Sequence, residues 1–185
     1  TYRHNHPGVP VIEGDVSEVT GEQLMQLAGT TDIDLIAGGP SCQGFSTHGK
    51  RMQDDPRNFL FKHFVRLVDE VRPKMLLMEN VRGMLTYEKG AFRRQIEAAF
   101  QEIGYRTDFA QVVAADYGAP QMRHRILFIG TRIDDIKLSF PKPTHGSEGS
   151  NLKPYVTVEE AIGDLPLIGK DYTRKERPYA SGPQN

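Results

Sequence analysis

The sequence predicts an α/β fold on a doubly wound, mostly parallel sheet, and three observations predict it. Between Val9 and Gly130, apolar runs of strand length alternate with runs whose apolar residues keep helical spacing. Lys74 to Met78 (KMLLM) is apolar on both faces, as a strand covered by helices on either side must be. Ile33 to Ala37 stops abruptly at Gly38-Gly39-Pro40, which throws the next residues onto a loop at the strand's carboxyl end. In open α/β sheets that edge binds ligands and carries chemistry.

Taken in order, Val9 to Glu13 (VPVIE) predicts a short strand, closed by Gly14 and Asp15. A helix follows over Gly21 to Ala28, with Thr20 and Gln23 in a capping-box pattern. Ile33 to Ala37 is the second strand. The loop after it runs through Cys42, His48, Lys50 and Arg51 to Asp55. Asp55-Pro56 then starts a helix, a cap residue followed by proline at the first helical position. That helix reaches Val71, with Phe61, Phe64, Val65, Val68 and Val71 as its apolar stripe. Arg72-Pro73 ends it. Lys74 to Met78 is the third strand, and Glu79-Asn80 fall where it ends. A helix over Ala91 to Ile103 stops at Gly104. Strands follow at Tyr105 to Ala114 and Arg125 to Gly130, separated by a loop at Asp116 to Gln121. This pair suits an antiparallel close to the sheet. Beyond Arg132 the stretch is polar and punctuated by Pro141, Pro143, Gly146, Gly149 and Pro154. A short helix over Val158 to Gly163 has its own capping box in Thr157 and Glu160. Pro166 to Asn185 reads as a polar, irregular tail.

The totals bound the function. A chain of 185 residues is the size of one domain and can bury a substantial core. With 38% hydrophobic residues, 25% charged residues and a net charge of -1, it has no global basic field, so nucleic-acid contact must come from local clusters. The single cysteine excludes an internal disulfide framework and suits a reducing, cytosol-like compartment. No apolar run is long enough to span a bilayer and no signal peptide is apparent, so no membrane contact is expected. The chain starts at Thr1 rather than Met and is expected to be a piece of something longer.

Three strand ends deliver polar residues to what is expected to be one edge. The only cysteine, Cys42, stands in GGPSCQGFS, a Gly/Pro-rich turn that is a poor place to hide a core residue. A lone cysteine is otherwise often a small buried hydrophobe. Glu79 is a carboxylate directly after an apolar strand, where it must be hydrogen-bonded or chemically employed; capping the next turn is the simpler use. In QMRHR, Gln121, Arg123 and Arg125 alternate, so an extended chain puts them on one face. A charged edge strand shows the same pattern. The conjunction says more than any member.

These runs, in this order, resemble the cytosine-C5 DNA methyltransferase family. Its cysteine loop is matched by Gly39-Pro40-Ser41-Cys42-Gln43-Gly44-Phe45-Ser46, its ENV motif by Glu79-Asn80-Val81 and its QxRxR motif by Gln121, Arg123 and Arg125. Gly14-Asp15-Val16 is similar to the family's strand-end aspartate motif. Phe140-Pro141 through Thr144-His145 is similar to its approach to the target-recognition region. Ser41 stands where many members have proline, which alters loop stiffness more than chemistry.

The resemblance implies a Rossmann-like, S-adenosylmethionine-dependent fold and a covalent mechanism. Cys42 adds to C6 of cytosine so that C5 can attack the cofactor's methyl group. Glu79 holds the N3 and N4 edge and donates a proton at N3. Asn80 positions that loop, and Arg125 with Arg123 contacts the base O2 and nearby phosphate. Asp15 contacts the cofactor's adenine, and Pro40 also belongs to the cofactor site. The target base is flipped out of duplex DNA. Gln43, Ser46, His48, Lys50, Arg51 and Gln121 are assigned to the nucleic acid, the basic ones facing phosphate; for His48, Lys50 and Arg51 a merely solvated loop is the competing reading. No metal is expected. The implied setting is cytoplasmic, bacterial or phage-like, with a restriction–modification role among the possibilities.

No FxGxGG-like run, the family's cradle for the methionine end of the cofactor, occurs in the chain. Residues 1–135 are therefore expected to be a partial catalytic domain, and 136–185 a segment leading towards a target-recognition domain. The isolated chain is expected to bind S-adenosylmethionine weakly and not to methylate by itself. Three other readings compete. The family's tRNA-directed branch uses the same motifs, a non-catalytic or split subunit needs a partner chain to supply the missing motif, and a cysteine hydrolase needs His48 or His63 as base. The last leaves the ENV and QxRxR runs unexplained.

Overall fold

The computed structural model describes residues 1–41, 60–85 and 87–165, with side chains throughout except at 87 and 88. A single turn, α1 (Tyr2–Asn5), opens the chain. Arg3 folds back from it, donating to the Val11 carbonyl at 3.1 Å and pairing with Glu13 at 3.3 Å. Val9 to Glu13, expected as a strand, is irregular instead. Pro10 withholds a ladder N–H, and Val9 and Ile12 stay 48% and 38% exposed, so no burial holds this run to the sheet.

α2 (Gly21–Ala28) keeps the predicted bounds because its end signals are local. Thr20 and Gln23 form the reciprocal capping box, and Gly29 closes the helix in the left-handed region at φ 68°. β1 (Leu35–Gly38) follows, displaced by one or two residues from the predicted strand. The predicted helix start at Asp55-Pro56 lies outside the described residues; α3 (Leu60–Val71) ends where expected. β2 (Met75–Val81) runs three residues past the end of the apolar run that predicted it. Glu79 and Asn80 therefore lie inside the strand rather than after it, because β4 pairs with them. Two turns of 3-10 helix at Arg82–Leu85 and Tyr87–Gly90 lead into α4 (Ala91–Glu102). β3 (Arg106–Val113) and β4 (His124–Thr131) come next, with a 3-10 turn at Ala114–Tyr117 between them. Two-residue strands β5 (His145–Gly146) and β6 (Lys153–Pro154) pair in parallel, and α5 (Val158–Ile162) carries the second predicted capping box.

The main sheet has the order β1-β2-β4-β3. β1 and β2 run parallel, Leu35 opposite Met75 through Gly38 opposite Met78. β2 and β4 run antiparallel, Glu79 opposite Leu127 and Val81 opposite Arg125. The antiparallel pairing thus begins at β2, one strand earlier than expected. Burial along β2 alternates strictly. Leu76, Met78 and Asn80, with Ile126 and Phe128 of β4, form the covered face. Over it pack Phe61, Phe64 and Val68 of α3 and Phe92, Ile96 and Phe100 of α4. Edge-on ring contacts join the two helices, Phe61 to Phe92 at 5.1 Å and Phe64 to Phe100 at 6.2 Å between centroids. By the same alternation Glu79 is delivered to the other, half-exposed face.

At Gly38 the sheet lies close against α3. A Cβ there would stand 2.7 Å from Cε2 of Phe64. Gly38→Ala is expected to destabilise the fold by about 1–3 kcal/mol through overpacking, read as a lowered urea midpoint at unchanged slope. An unchanged midpoint would show that Phe64 can swing aside.

The chain divides into two compact units, Thr1–Gln111 with Arg125–Phe140, and Val112–His124 with Pro141–Asn185. In the second, Asp116 gathers the later segment. Its carbonyl accepts the Thr144 N–H at 2.8 Å, and its carboxylate accepts the Tyr155 hydroxyl at 2.9 Å. Gly118, at φ 90°, leaves room for the His145 ring, which a Cβ would meet at 2.8 Å.

Candidate active site

The first unit brings four of the predicted residues together at the carboxyl ends of β1 and β2. Glu79 of β2 and Arg125 of β4 sit diagonally across the antiparallel ladder, on the same face because Arg125 opposes Val81. The Arg125 Nε forms an ion pair with Glu79 Oε1 at 2.5 Å, with side chains 22% and 41% exposed. The pair is thus formed at a partly wet surface, within reach of a ligand. Glu79 also lies against the turn after β1, its Oε2 3.3 Å from where a Cβ on Gly39 would stand.

Asn80 points the other way, into the covered face, and is 3% exposed. Its amide Nδ2 donates to the Pro40 carbonyl at 3.0 Å, while its Oδ1 accepts the Val81 N–H at 2.8 Å. A buried amide satisfied in this way fixes the first residues of the loop beyond β1 to β2.

Beside that turn lies a cleft of about 460 Å³, lined by Val16, Leu24, Ile36, Leu60, Phe64 and Leu67 and by the residues from Ala37 to Ser41. Pro40 is in its wall. Asp15 is not, although its neighbour Val16 is. The Asp15 Oδ1 accepts the Ser17 hydroxyl at 2.6 Å and the Ser17 N–H at 2.9 Å. These two bonds, the hydroxyl first, hold its carboxyl below the usual carboxylate range.

In the second unit, Gln121 and Arg123 do not lie on one extended face as the alternation predicted. β4 begins only at His124, and the residues before it fold through successive tight turns. Gln121 N–H donates to the Ala119 carbonyl at 2.7 Å and Arg123 N–H to the Gln121 carbonyl at 2.8 Å. Pro120, its φ fixed by the ring, sits between the two partners of the first of these bonds. The Arg123 carbonyl in turn accepts the Ala114 N–H at 2.9 Å, and both Gln121 and Arg123 are exposed.

Cys42, Gln43, Ser46, His48, Lys50 and Arg51 lie outside the described residues. The residues that sequence reasoning missed are the cleft's apolar wall. Leu24, Phe64 and Leu67 carry the helical spacing of a core stripe, and nothing local separates a side chain facing a neighbour helix from one facing a cleft.

A family model for C-5 cytosine-specific DNA methylases matches residues 1–178. The chain is 41% identical over 186 residues to Type II methyltransferase M.AquIA of Picosynechococcus, covering 90% of this chain and 75% of that protein. It is also 41% identical to Type II methyltransferase M1.HphI of Haemophilus parahaemolyticus, over 91% of this chain and 44% of the relative. A crystal structure described as a DNA modification methyltransferase encoded within an E. coli prophage superposes with a TM-score of 0.64 at 36% identity. That likeness covers 85% of this chain and 42% of the other, so against two of these three proteins the chain spans less than half the length. With the match running through nearly all of its residues, this chain belongs to the C-5 cytosine-specific DNA methylase family.

Proposed function

We propose that this chain carries the catalytic centre of a DNA cytosine-C5 methyltransferase that uses S-adenosylmethionine as methyl donor. The Glu79–Arg125 pair supports this best: a carboxylate and a guanidinium are held on one sheet face, against the turn that leads directly to Cys42. Such a pair presents both a donor and an acceptor to the polar edge of a pyrimidine.

In this reading the Cys42 thiolate adds to C6 of a cytosine flipped out of the duplex, and electron density moves to C5. Glu79 donates a proton at N3, so negative charge does not accumulate in the ring. Arg125, with Arg123, holds O2 and the adjacent phosphate and favours the thiolate. With S-adenosylmethionine bound, C5 would take its methyl group and leave S-adenosylhomocysteine. A water acting as base would then take the C5 proton, N3 would return its proton to Glu79, and the Cys42–C6 bond would break to regenerate the thiolate. Asn80 keeps the Cys42 loop at its post through Pro40. Gln43, Ser46, His48, Lys50, Arg51 and Gln121 are assigned to the nucleic acid.

The cleft suits the adenosyl end of the methyl donor, since it sets an apolar wall beside the turn at Gly38 to Pro40. Val16, Leu60, Phe64 and Pro40 would hold the adenine and Asp15 its amino group. When bound, S-adenosylmethionine supplies an electrophilic methyl group. No FxGxGG-like run is present to hold its methionine end, and the isolated chain is accordingly proposed to be inactive without the rest of a longer chain or a partner subunit. We assign it to the cytoplasm; among the described residues, no helix is long and apolar enough to cross a membrane.

The test is transfer of a labelled methyl group to a duplex DNA pool, by this chain and by a version extended at both ends, with RNA in parallel. Label at cytosine C5 in DNA with the extended protein alone is expected. Label only in RNA overturns the substrate; no label from a folded extended protein overturns the reading.

A further inference from the structure

The α3 helix both walls the cleft and fastens the segment that follows Asp15. Arg66 of α3 donates from Nη2 to the carbonyls of Val16 at 3.0 Å and Val19 at 2.8 Å. Its Nη1 pairs with Glu70 Oε1 at 2.8 Å, and Glu70 Oε2 accepts the Gly21 N–H at 2.6 Å. One helical turn of α3 therefore holds Val16, Val19 and Gly21 together, all of them backbone contacts. Gly21 shows how close the two lie, because a Cβ there would come within 2.6 Å of the Glu70 Cβ. Val16 and Leu24, on either side of this fastening, line the same cleft as Leu60, Phe64 and Leu67 of α3.

The chemistry of the clamp selects arginine. Three acceptors in different directions require donors spread over a planar fork, and an ammonium on a flexible stem cannot meet all three with good geometry. The Gly21 amide, followed by Arg66, holds the Glu70 carboxyl below its ordinary range, as expected of a carboxylate engaged from both sides. Asp15 itself is closed into a turn, its carbonyl accepting the Glu18 N–H at 3.0 Å. The position of Asp15 relative to the cleft is thus set from outside that turn, by what grips Val16 and Val19.

We propose that Arg66, braced by Glu70, is a positioning residue for the methyl donor: it sets Asp15 and Val16 against α3 and so fixes affinity for the adenosyl group. The proposal rests on the reading of the cleft as the cofactor site. Arg66 touches none of the reacting atoms, so its loss is expected to appear in cofactor affinity and not in chemistry.

The experiment uses the extended protein with Arg66→Ala and Arg66→Lys, and reads steady-state kinetics together with calorimetric binding of S-adenosylhomocysteine. Arg66→Ala is expected to raise both KM for S-adenosylmethionine and Kd for S-adenosylhomocysteine roughly tenfold. At saturating donor, kcat stays within about twofold and KM for DNA is unchanged. Arg66→Lys, which keeps the charge and the fold, is expected to fall between. Unchanged donor KM and Kd in Arg66→Lys, or a kcat that falls with melting temperature while KM stays put, overturns the proposal in favour of a purely structural role. A wild-type extended protein that is folded yet binds no S-adenosylhomocysteine removes the cofactor reading itself, and the proposal with it.

Discussion

Cys42→Ala is expected to abolish the covalent adduct between the extended protein and a duplex carrying 5-fluorocytosine in the presence of S-adenosylmethionine. Fluorine at C5 cannot leave as a proton, so the final elimination is blocked and a working enzyme stays bonded to its DNA through a denaturing gel. Alanine offers no group to add to C6. Because C5 of an unactivated cytosine is a poor nucleophile, removing the attacking group should cost about 10³-fold or more in turnover. Binding is expected to survive, since the cleft, the Glu79–Arg125 pair and the basic loop residues remain. A gel-shift assay on the same duplex separates the two effects. An adduct that persists in Cys42→Ala would place the nucleophile elsewhere and sink the mechanism.

Glu79→Gln carries the second-largest expected effect, a loss of about 10²–10³ in single-turnover rate. Glutamine keeps the size and can still accept a hydrogen bond from Arg125, but it cannot deliver a proton to N3. Its effect on stability is expected to stay below about 1 kcal/mol, because the ion pair it weakens is partly exposed. Rate and melting temperature therefore separate a chemical role from a structural one. Adduct formation should slow in proportion to methylation, since proton delivery assists the addition step. A full-rate Glu79→Gln enzyme would leave Glu79 as no more than the partner that orients Arg125.

Local signals in the sequence carried far in this chain. α2 and α5 are set by capping boxes within four residues of their starts, and those boxes form with the reciprocal bonds expected. α4 stops within a residue of expectation, because Gly104 takes a left-handed conformation at φ 84° just beyond it. The core stripe of α3 was legible as well, since helical spacing states which residues share a face. The family, too, was legible, because Cys42, Glu79-Asn80 and Gln121-Met122-Arg123-His124-Arg125 are runs of fixed spacing in a fixed order.

What only the tertiary structure decided depends on partners distant in the chain. β2 runs on through Glu79 and Asn80 because β4 arrives to pair with them, and hydropathy alone ends the strand at Met78. Val9 to Glu13 has the composition of a strand without the burial that would make it one. The shared face expected of Gln121, Arg123 and Arg125 is broken by turns after Pro120, while the register of β4 turns Arg125 towards Glu79, 46 residues away in sequence by their numbering. The Asn80–Pro40 and Arg66–Val16 bonds span 40 and 50 residues. Sequence periodicity states which way a side chain faces along its own element. Which carbonyl or carboxylate meets it there is settled only when the elements pack, because that meeting is a property of two stretches whose spacing no local pattern records.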